Sequence, residues 1–349
     1  MKLTRMAALA VAAAATLSAA AMAQPAAQGA ARPWYKSAWD PARVKPCDRA
    51  CLVGLMDQYL DALIKHDPSG LPLAEEVWVT ENTGRMDLGE GVLWRSRIEP
   101  SQFRITVADP VTGQVAVQWV PKLQGQPAMI AIRLKVERRL ITEVEQLYDR
   151  NVAPQAMELL TTPRPTLLAD VAAKDRSSRE YMLYAANAYF DALTGENGAI
   201  APFAEDCVRH EQGYQTVRNA KPGRAMPSPN IPDRSTPFGK QVAELSVMTC
   251  AQQIDTKIFT GIKKIWPRRA VVDEQKGLVA IFPLFVHDGT RRPVEGQAWA
   301  PQTLPGMVLN MVTMETFAVR DGKILDVEAF PFVTFGYGLG DGWSPSRGR

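Results

Sequence analysis

Two stretches, Tyr59-Leu60-Asp61-Ala62-Leu63 and Tyr189-Phe190-Asp191-Ala192-Leu193, read almost alike 130 residues apart. At the same spacing, Leu73-Ala74-Glu75-Glu76-Val77 meets Phe203-Ala204-Glu205-Asp206-Cys207. A double match without a gap is the mark of an internal repeat. Further on, Ile141-Thr142-Glu143-Val144-Glu145 matches Ile324-Leu325-Asp326-Val327-Glu328 at a spacing of 183, so the second copy carries about 53 extra residues. Residues 220–256 are the expected insertion, with the Pro-rich run from Pro222 to Pro237 inside it.

Each copy reads as helix first, strands after. Leu52, Leu55, Met56, Tyr59, Leu60 and Leu63 recur at helical spacing, as do Met182, Ala185, Ala186, Tyr189, Phe190 and Leu193 in the second copy. Gly70, Gly195 and Gly198 mark helix ends. The runs Gly113–Val120 and Gly277–Val286 read as strands, followed by Ala128–Val136 and Gly306–Val319 and a last strand to Tyr148 or Phe330. Arg320-Asp321-Gly322-Lys323 reads as a hairpin turn. Helices followed by an antiparallel meander indicate an α+β fold rather than a doubly wound parallel sheet.

The chain has 349 residues, 46% hydrophobic and 22% charged, with a formal net charge of +3. This is ordinary globular composition. No clustered basic excess points to nucleic acid as a partner. Lys2, Arg5, an Ala-rich apolar run and Ala21-Met22-Ala23 read as a signal peptide over 1–23, so the expected location is periplasmic or secreted, with no membrane anchor after cleavage. Residues 24 to about 43 read as a loose leader arm. In an exported chain the four cysteines read as disulfides, with Cys47–Cys51 and Cys207–Cys250 the preferred pairs of three pairings.

The second helix, the run Phe203-Ala-Glu-Asp-Cys-Val-Arg-His-Glu211 and the final Asp321-Gly-Lys-Ile-Leu-Asp-Val-Glu-Ala-Phe330 resemble the nuclear transport factor two-like superfamily. The SnoaL-like polyketide cyclases and scytalone dehydratases belong to it. The resemblance spans both copies and implies two tandem cones, each a curved antiparallel sheet packed on N-terminal helices with a pocket at its open end. The expected domains are 47–150 and 178–331, with a Gly- and aromatic-rich tail over 332–349. The resemblance also implies that paired cones can place in one chain the dimer that single-copy relatives form from two.

No Gly-x-Ser-x-Gly, His-Glu-x-x-His, Walker loop or Cys-x-x-Cys occurs, and no cofactor or metal is expected. The remaining chemistry is proton transfer. His210 is the candidate base, with Glu211, Glu315 and Tyr214 orienting it or stabilising developing charge. Met307, Leu309, Met311, Thr313, Glu315, Phe317 and Val319 share one face of a strand, and a lone carboxylate on that face needs a partner. The first copy has Ile132 opposite Glu315 and Thr80 opposite His210, so a titratable lining belongs to the second copy alone. Glu328, Phe317, Met311 and Trp266 are the candidate ligand-binding residues.

Structural readings stand beside these. His210 also reads as a half-buried imidazole bonded to a carbonyl, and His287 as an exposed strand end. Glu315 also reads as the ion-pair partner of Arg268 or Arg269. The pairs Glu143/Glu145 and Asp326/Glu328 read as facing solvent more readily than a pocket. The functional expectation is a small, largely apolar ligand, aromatic or polyketide-like. Cofactor-independent dehydratase, isomerase or C–C lyase chemistry leads, and a non-catalytic binding or assembly module is the alternative. A homo-oligomer stays open.

Overall fold

The computed structural model describes residues 45–152, 154–220, 237–288, 308–334 and 340–343. The expected signal peptide and leader arm lie outside them, as do most of the Pro-rich run and parts of the tail.

Helix α1 (Arg49–Lys65) starts where the Asp48 carboxylate accepts from Cys51 N at 2.9 Å, and it ends at His66 in the left-handed region. Its buried face is the predicted one, from Leu52 to Leu63. Strands β1 (Leu73–Glu81) and β2 (Gly84–Met86) follow, then the short α2 (Gly91–Arg95) and β3 (Ile98–Glu99). The meander continues with β4 (Arg104–Asp109), β5 (Gln114–Trp119), the short β6 (Lys122–Leu123) and β7 (Gln126–Pro127), β8 (Met129–Glu137) and β9 (Leu140–Asp149). A connection containing α3 (Pro165–Leu168) leads to α4 (Arg179–Gly195), whose Ser178 cap accepts from Tyr181 N. Strands β10 (Phe203–Glu211) and β11 (Tyr214–Gln215) come next, then α5 (Pro237–Val247) and α6 (Cys250–Asp255) within the expected insertion. The long strands β12 (Ile262–Asp273), β13 (Leu278–Asp288), β14 (Val308–Arg320) and β15 (Lys323–Thr334) finish the second half.

The two six-stranded sheets have the same order. The first runs β2-β1-β9-β8-β5-β4 and the second β11-β10-β15-β14-β13-β12, while β3, β6 and β7 form a small third sheet. In each, the meander is antiparallel and the strand following the main helix joins it in parallel, β1 on β9 and β10 on β15. The partners of each parallel pair are far apart in the chain, and the long run of elements between them supplies the crossover that a parallel pair needs.

Each sheet has two apolar faces. Inside the first cone, α1 packs on Val115, Val117, Ile130, Ile132 and Val144; inside the second, α4 packs on Val279, Ile281, Phe317, Val319 and Val327. The opposite faces of the two sheets meet each other. Ile105, Val107, Ala116 and Ala131 of the first share one buried cluster with Val271, Ala280, Phe282, Met314 and Phe330 of the second. The sheets are therefore covered on both sides, so the alternation of apolar and polar residues is weak.

Two reciprocal ion pairs clasp this seam. Arg49 at the start of α1 binds Asp273 at the end of β12 (3.0 Å), and Asp273 accepts from Ala108 N. Arg179 at the start of α4 binds Asp109 at the end of β4 with two 2.7 Å bonds, and Asp109 accepts from Val272 N. The disulfides are Cys47–Cys51 and Cys207–Cys250, the pairing preferred from the sequence.

Of the terminal-strand carboxylates only Glu143 reaches solvent, its side chain 34% exposed and paired with Arg133. Glu145, Asp326 and Glu328 are each 1% exposed, because they project into the seam, where the opposite sheet and the connection cover them. Arg133 and Arg269 hold Glu145, and Arg164 from the connection holds Asp326 and Glu328. The tail segment Asp341–Trp343 touches both sheets: Asp341 pairs with Arg269 of the second, and Trp343 Nε1 donates to Thr80 Oγ1 of the first at 3.2 Å.

Removing one partner of a buried pair leaves the other charge uncompensated. Asp109→Ala is expected to lower the unfolding free energy by about 3–5 kcal/mol, read from urea denaturation. A loss below about 1 kcal/mol would mean that the clasp contributes no more than a surface pair.

Candidate functional site

Strand register sorts the candidate residues by face. Directly paired residues project to the same side, and neighbours along a strand to opposite sides. One row of the second sheet reads Ala270, Ile281, Glu315, Ala329, Glu211. Ile281 and Ala270 pack with α4, so this row lines the inside of the second cone. The adjacent row reads Val271, Ala280, Thr316, Glu328, His210, and Val271 and Ala280 belong to the seam.

Glu211 and Glu315 thus lie inside the cone, whereas His210 and Glu328 lie in the seam. The expected His210–Glu315 constellation is divided by the sheet. Tyr214 packs in the seam cluster as well. Phe317 is fully buried inside the cone against Tyr189 and Phe190, and Met311 is half-buried on the same side. Trp266, 55% exposed on β12, lines neither surface.

The first cone supplies a built-in comparison. Its inner row reads Thr106, Val117, Ile132, Gln146, Glu81, and its seam row Val107, Ala116, Arg133, Glu145, Thr80. Ile132 therefore occupies the place of Glu315, and Thr80 that of His210.

Two residues that the sequence reading used only for packing or passed over complete the site. Tyr189, aligned with Tyr59 in the repeat, projects from α4, and Arg209 stands where the first copy has Val79. The Arg209 guanidinium donates to Tyr189 Oη (2.8 Å), Glu211 Oε2 (2.6 Å) and Thr216 Oγ1 (3.1 Å). In the first cone, with valine at that place, Tyr59 Oη donates to Gln146 Oε1 at 2.9 Å. The replacement of an apolar residue by a charged one at an aligned position was the available signal.

Glu315 is 2% exposed. It pairs with neither Arg268, which binds Asp191, nor Arg269, which binds Glu145 and Asp341. Thr313 Oγ1 donates weakly to its Oε1 at 3.4 Å, and Oε2 has no hydrogen-bond partner among the described residues. Burial raises its pKa to about 7, against the opposing pull of Arg209. This carboxyl can hold or release a proton near neutrality. His210 is the reverse: burial, with Arg164 and Arg209 nearby, drives its pKa down to about 2, so its imidazole stays neutral. Burial likewise raises the Tyr189 phenol, which remains a protonated hydroxyl.

His287 is half-buried rather than exposed and stacks on Phe285, a wall residue of the second cone. Among the described residues no group of three or more His, Cys, Asp or Glu side chains converges as metal ligands do. A cavity of about 240 Å³ lies between the segment Pro100–Gln102, the β5–β7 residues Val120, Lys122 and Pro127, and Met157 with Leu160–Thr162, and another of about 370 Å³ borders Met248, Gln252, Asp255 and Thr256. Glu315 lines neither of them. No described helix is long and apolar enough to cross a membrane.

The sign of the pH effect follows from the raised Glu315 pKa. Its stabilising contribution is complete below the unfolded carboxyl value of about 4.5 and is lost as pH rises through about 7. The wild-type chain should lose on the order of 3 kcal/mol of stability over that window from this group. Glu315→Gln should flatten the profile by that amount, measured as urea midpoints against pH; identical profiles for the two proteins would contradict the assignment.

The family model described as a domain of unknown function, DUF8021, matches residues 175–331, less than half of the chain. No curated protein matches. Similar solved structures include an NTF2-like protein of unknown function from Cytophaga hutchinsonii ATCC 33406, with 13% identity over 28% of this chain and 89% of that one, at a TM-score of 0.23. A cystatin-like-fold protein of unknown function from Methylobium petroleophilum PM1 shares 17% identity over 31% of this chain and 81% of that one, at a TM-score of 0.25. Wild-type IdmH from Streptomyces antibioticus, a candidate polyketide cyclase, shares 16% identity over 43% of this chain and 91% of that one, at a TM-score of 0.23. Likeness at this level carries no argument about ligand or reaction, and the architecture rests on strand order and register. By that strand order and register, the fold is α+β: twice over, a mixed six-stranded sheet wrapped on a helix.

Proposed function

We propose that the protein is exported and binds a small, largely apolar molecule, aromatic or polyketide-like, inside the second cone. There it runs cofactor-independent acid–base chemistry of the dehydratase, isomerase or C–C lyase type. One observation carries the reading: the unpartnered Oε2 of buried Glu315, on a wall of Phe, Met and Ile, at a position that is Ile132 in the first cone. A fold needs no carboxyl there. A proton donor and acceptor of matched pKa, set in an apolar surround, is what such chemistry requires.

The roles differ from those read in the sequence. Glu315 exchanges the proton, Tyr189 offers its hydroxyl to the ligand, and Arg209 fixes Tyr189 and Glu211 by hydrogen bonds. Phe317 and Met311 form the apolar wall. His210, Tyr214 and Glu328 belong to the seam and support the cone from behind. The two cones are read as copies from an internal duplication, supported by the residue-for-residue register of their rows and by the reciprocal Arg49–Asp273 and Arg179–Asp109 clasps. Two disulfides fit an oxidising compartment, which supports export by the Lys2–Ala23 segment.

Binding without turnover is the second reading, favoured by the separation of His210 from Glu315. Native mass spectrometry of protein purified from its own host discriminates the two. Retention of an aromatic or polyketide-like ligand by Glu315→Gln, with conversion of that ligand reduced at least about 100-fold, supports catalysis. Equal conversion by the variant and wild type removes Glu315 from any catalytic role. Ligand retained by both with no conversion by either establishes the binding module. His210→Gln is expected to leave ligand retention unchanged.

A further inference from the structure

The seam contains a polar group of its own. Among the described residues, His210 Nδ1, Thr316 Oγ1, Glu328 Oε1 and Gln118 Oε1 are buried side-chain atoms without a hydrogen-bond partner. Their residues are 5%, 0%, 1% and 0% exposed. Three of them, His210, Glu328 and Thr316, are consecutive members of one row on one face of the second sheet. Gln118 comes from the first sheet across the seam. Its Nε2 donates to Met314 O (3.0 Å) and Glu328 O (3.1 Å), which lays the amide against the same pair of strands.

The chemistry of these atoms restricts what can bind them. Glu328 Oε1 and Gln118 Oε1 only accept hydrogen bonds when the carboxylate is ionised, a hydroxyl does either, and a neutral imidazole has one donor and one acceptor nitrogen. An occupant must therefore donate at least twice and also accept. Arg164, 2.7 Å from Glu328 Oε2, opposes a cation, and the two acceptor oxygens oppose an anion. The surrounding Val271, Ala280, Met314 and Phe330 offer no side-chain donor. Water fits all of these demands, and a buried water commonly makes about three hydrogen bonds to such groups.

We propose that the seam is a buried hydration site, in which one or two water molecules bridge Gln118 of the first sheet to Thr316, Glu328 and His210 of the second. The site joins the two sheets through hydrogen bonds where apolar packing is interrupted, and it gives His210 a bonding role remote from the ligand. It does not depend on the functional reading above.

Thr316→Val tests the sign of the effect. In a dry seam, exchanging an orphaned hydroxyl for a methyl leaves stability equal or raises it. In a hydrated seam, the exchange breaks a water bond and should lower the folding equilibrium constant about tenfold, read from urea denaturation. A crystal structure of the full chain supplies the second readout, valid even if the variant does not fold. It should show an ordered water within about 3.2 Å of at least three of the four atoms. A direct His210–Glu328 hydrogen bond, an empty seam, or a Thr316→Val protein as stable as wild type overturns the proposal.

Discussion

The burial of one sheet against the other governs the rest of the molecule. A sheet with one face in solvent can carry charges on that face at little cost. Here that face is covered, so each polar group on it needs a partner brought from elsewhere. Arg269 crosses from the second sheet to Glu145, the connection delivers Arg164 to Asp326 and Glu328, and the tail brings Asp341 and Trp343 to Arg269 and Thr80. The last of these requires Gly342: at φ +78 a Cβ there would stand 2.6 Å from Thr83 O. Connection and tail thus serve as covers for the outer strands.

The same constraint decides where chemistry can occur. Two adjacent residues of β10, His210 and Glu211, are sent to different environments, one between the sheets and one inside the cone. A neutral imidazole suits the first, where Arg164 and Arg209 oppose a second positive charge. A protonatable carboxyl suits the second, where Glu315 lies on a mostly apolar wall. The first cone keeps Glu81 at the place of Glu211 but has the apolar Ile132 and Val79 where the second has Glu315 and Arg209.

The architecture was legible because two similarly patterned stretches expose the same packing requirements twice. Helix faces and the run of strands follow from aligned apolar positions and spacing, and the cysteine pairs are the preferred ones of three pairings, whereas the parallel β1–β9 and β10–β15 pairs have no signal in the sequence. The facing of Glu315, Phe317 and Met311 followed from period-two alternation on β14. The same alternation applied to β10 separates His210 from Glu211, a consequence missed when both were grouped by proximity in sequence. What the sequence could not display is the cross-sheet contact. Nothing local to Glu145 or Glu328 indicates that a second sheet lies over them, so they read as solvent-facing. Arg164 is 162 residues from Asp326 and carries no motif.

The central claim is that the second sheet separates a titrating carboxyl from a silent imidazole. Site-resolved NMR titration of Glu315 and His210 in the full chain measures both at once. The account predicts a Glu315 carboxyl midpoint near 7 and no His210 titration between about pH 4 and 8. A His210 midpoint near 6.5 together with a Glu315 midpoint near 4.5 would contradict it.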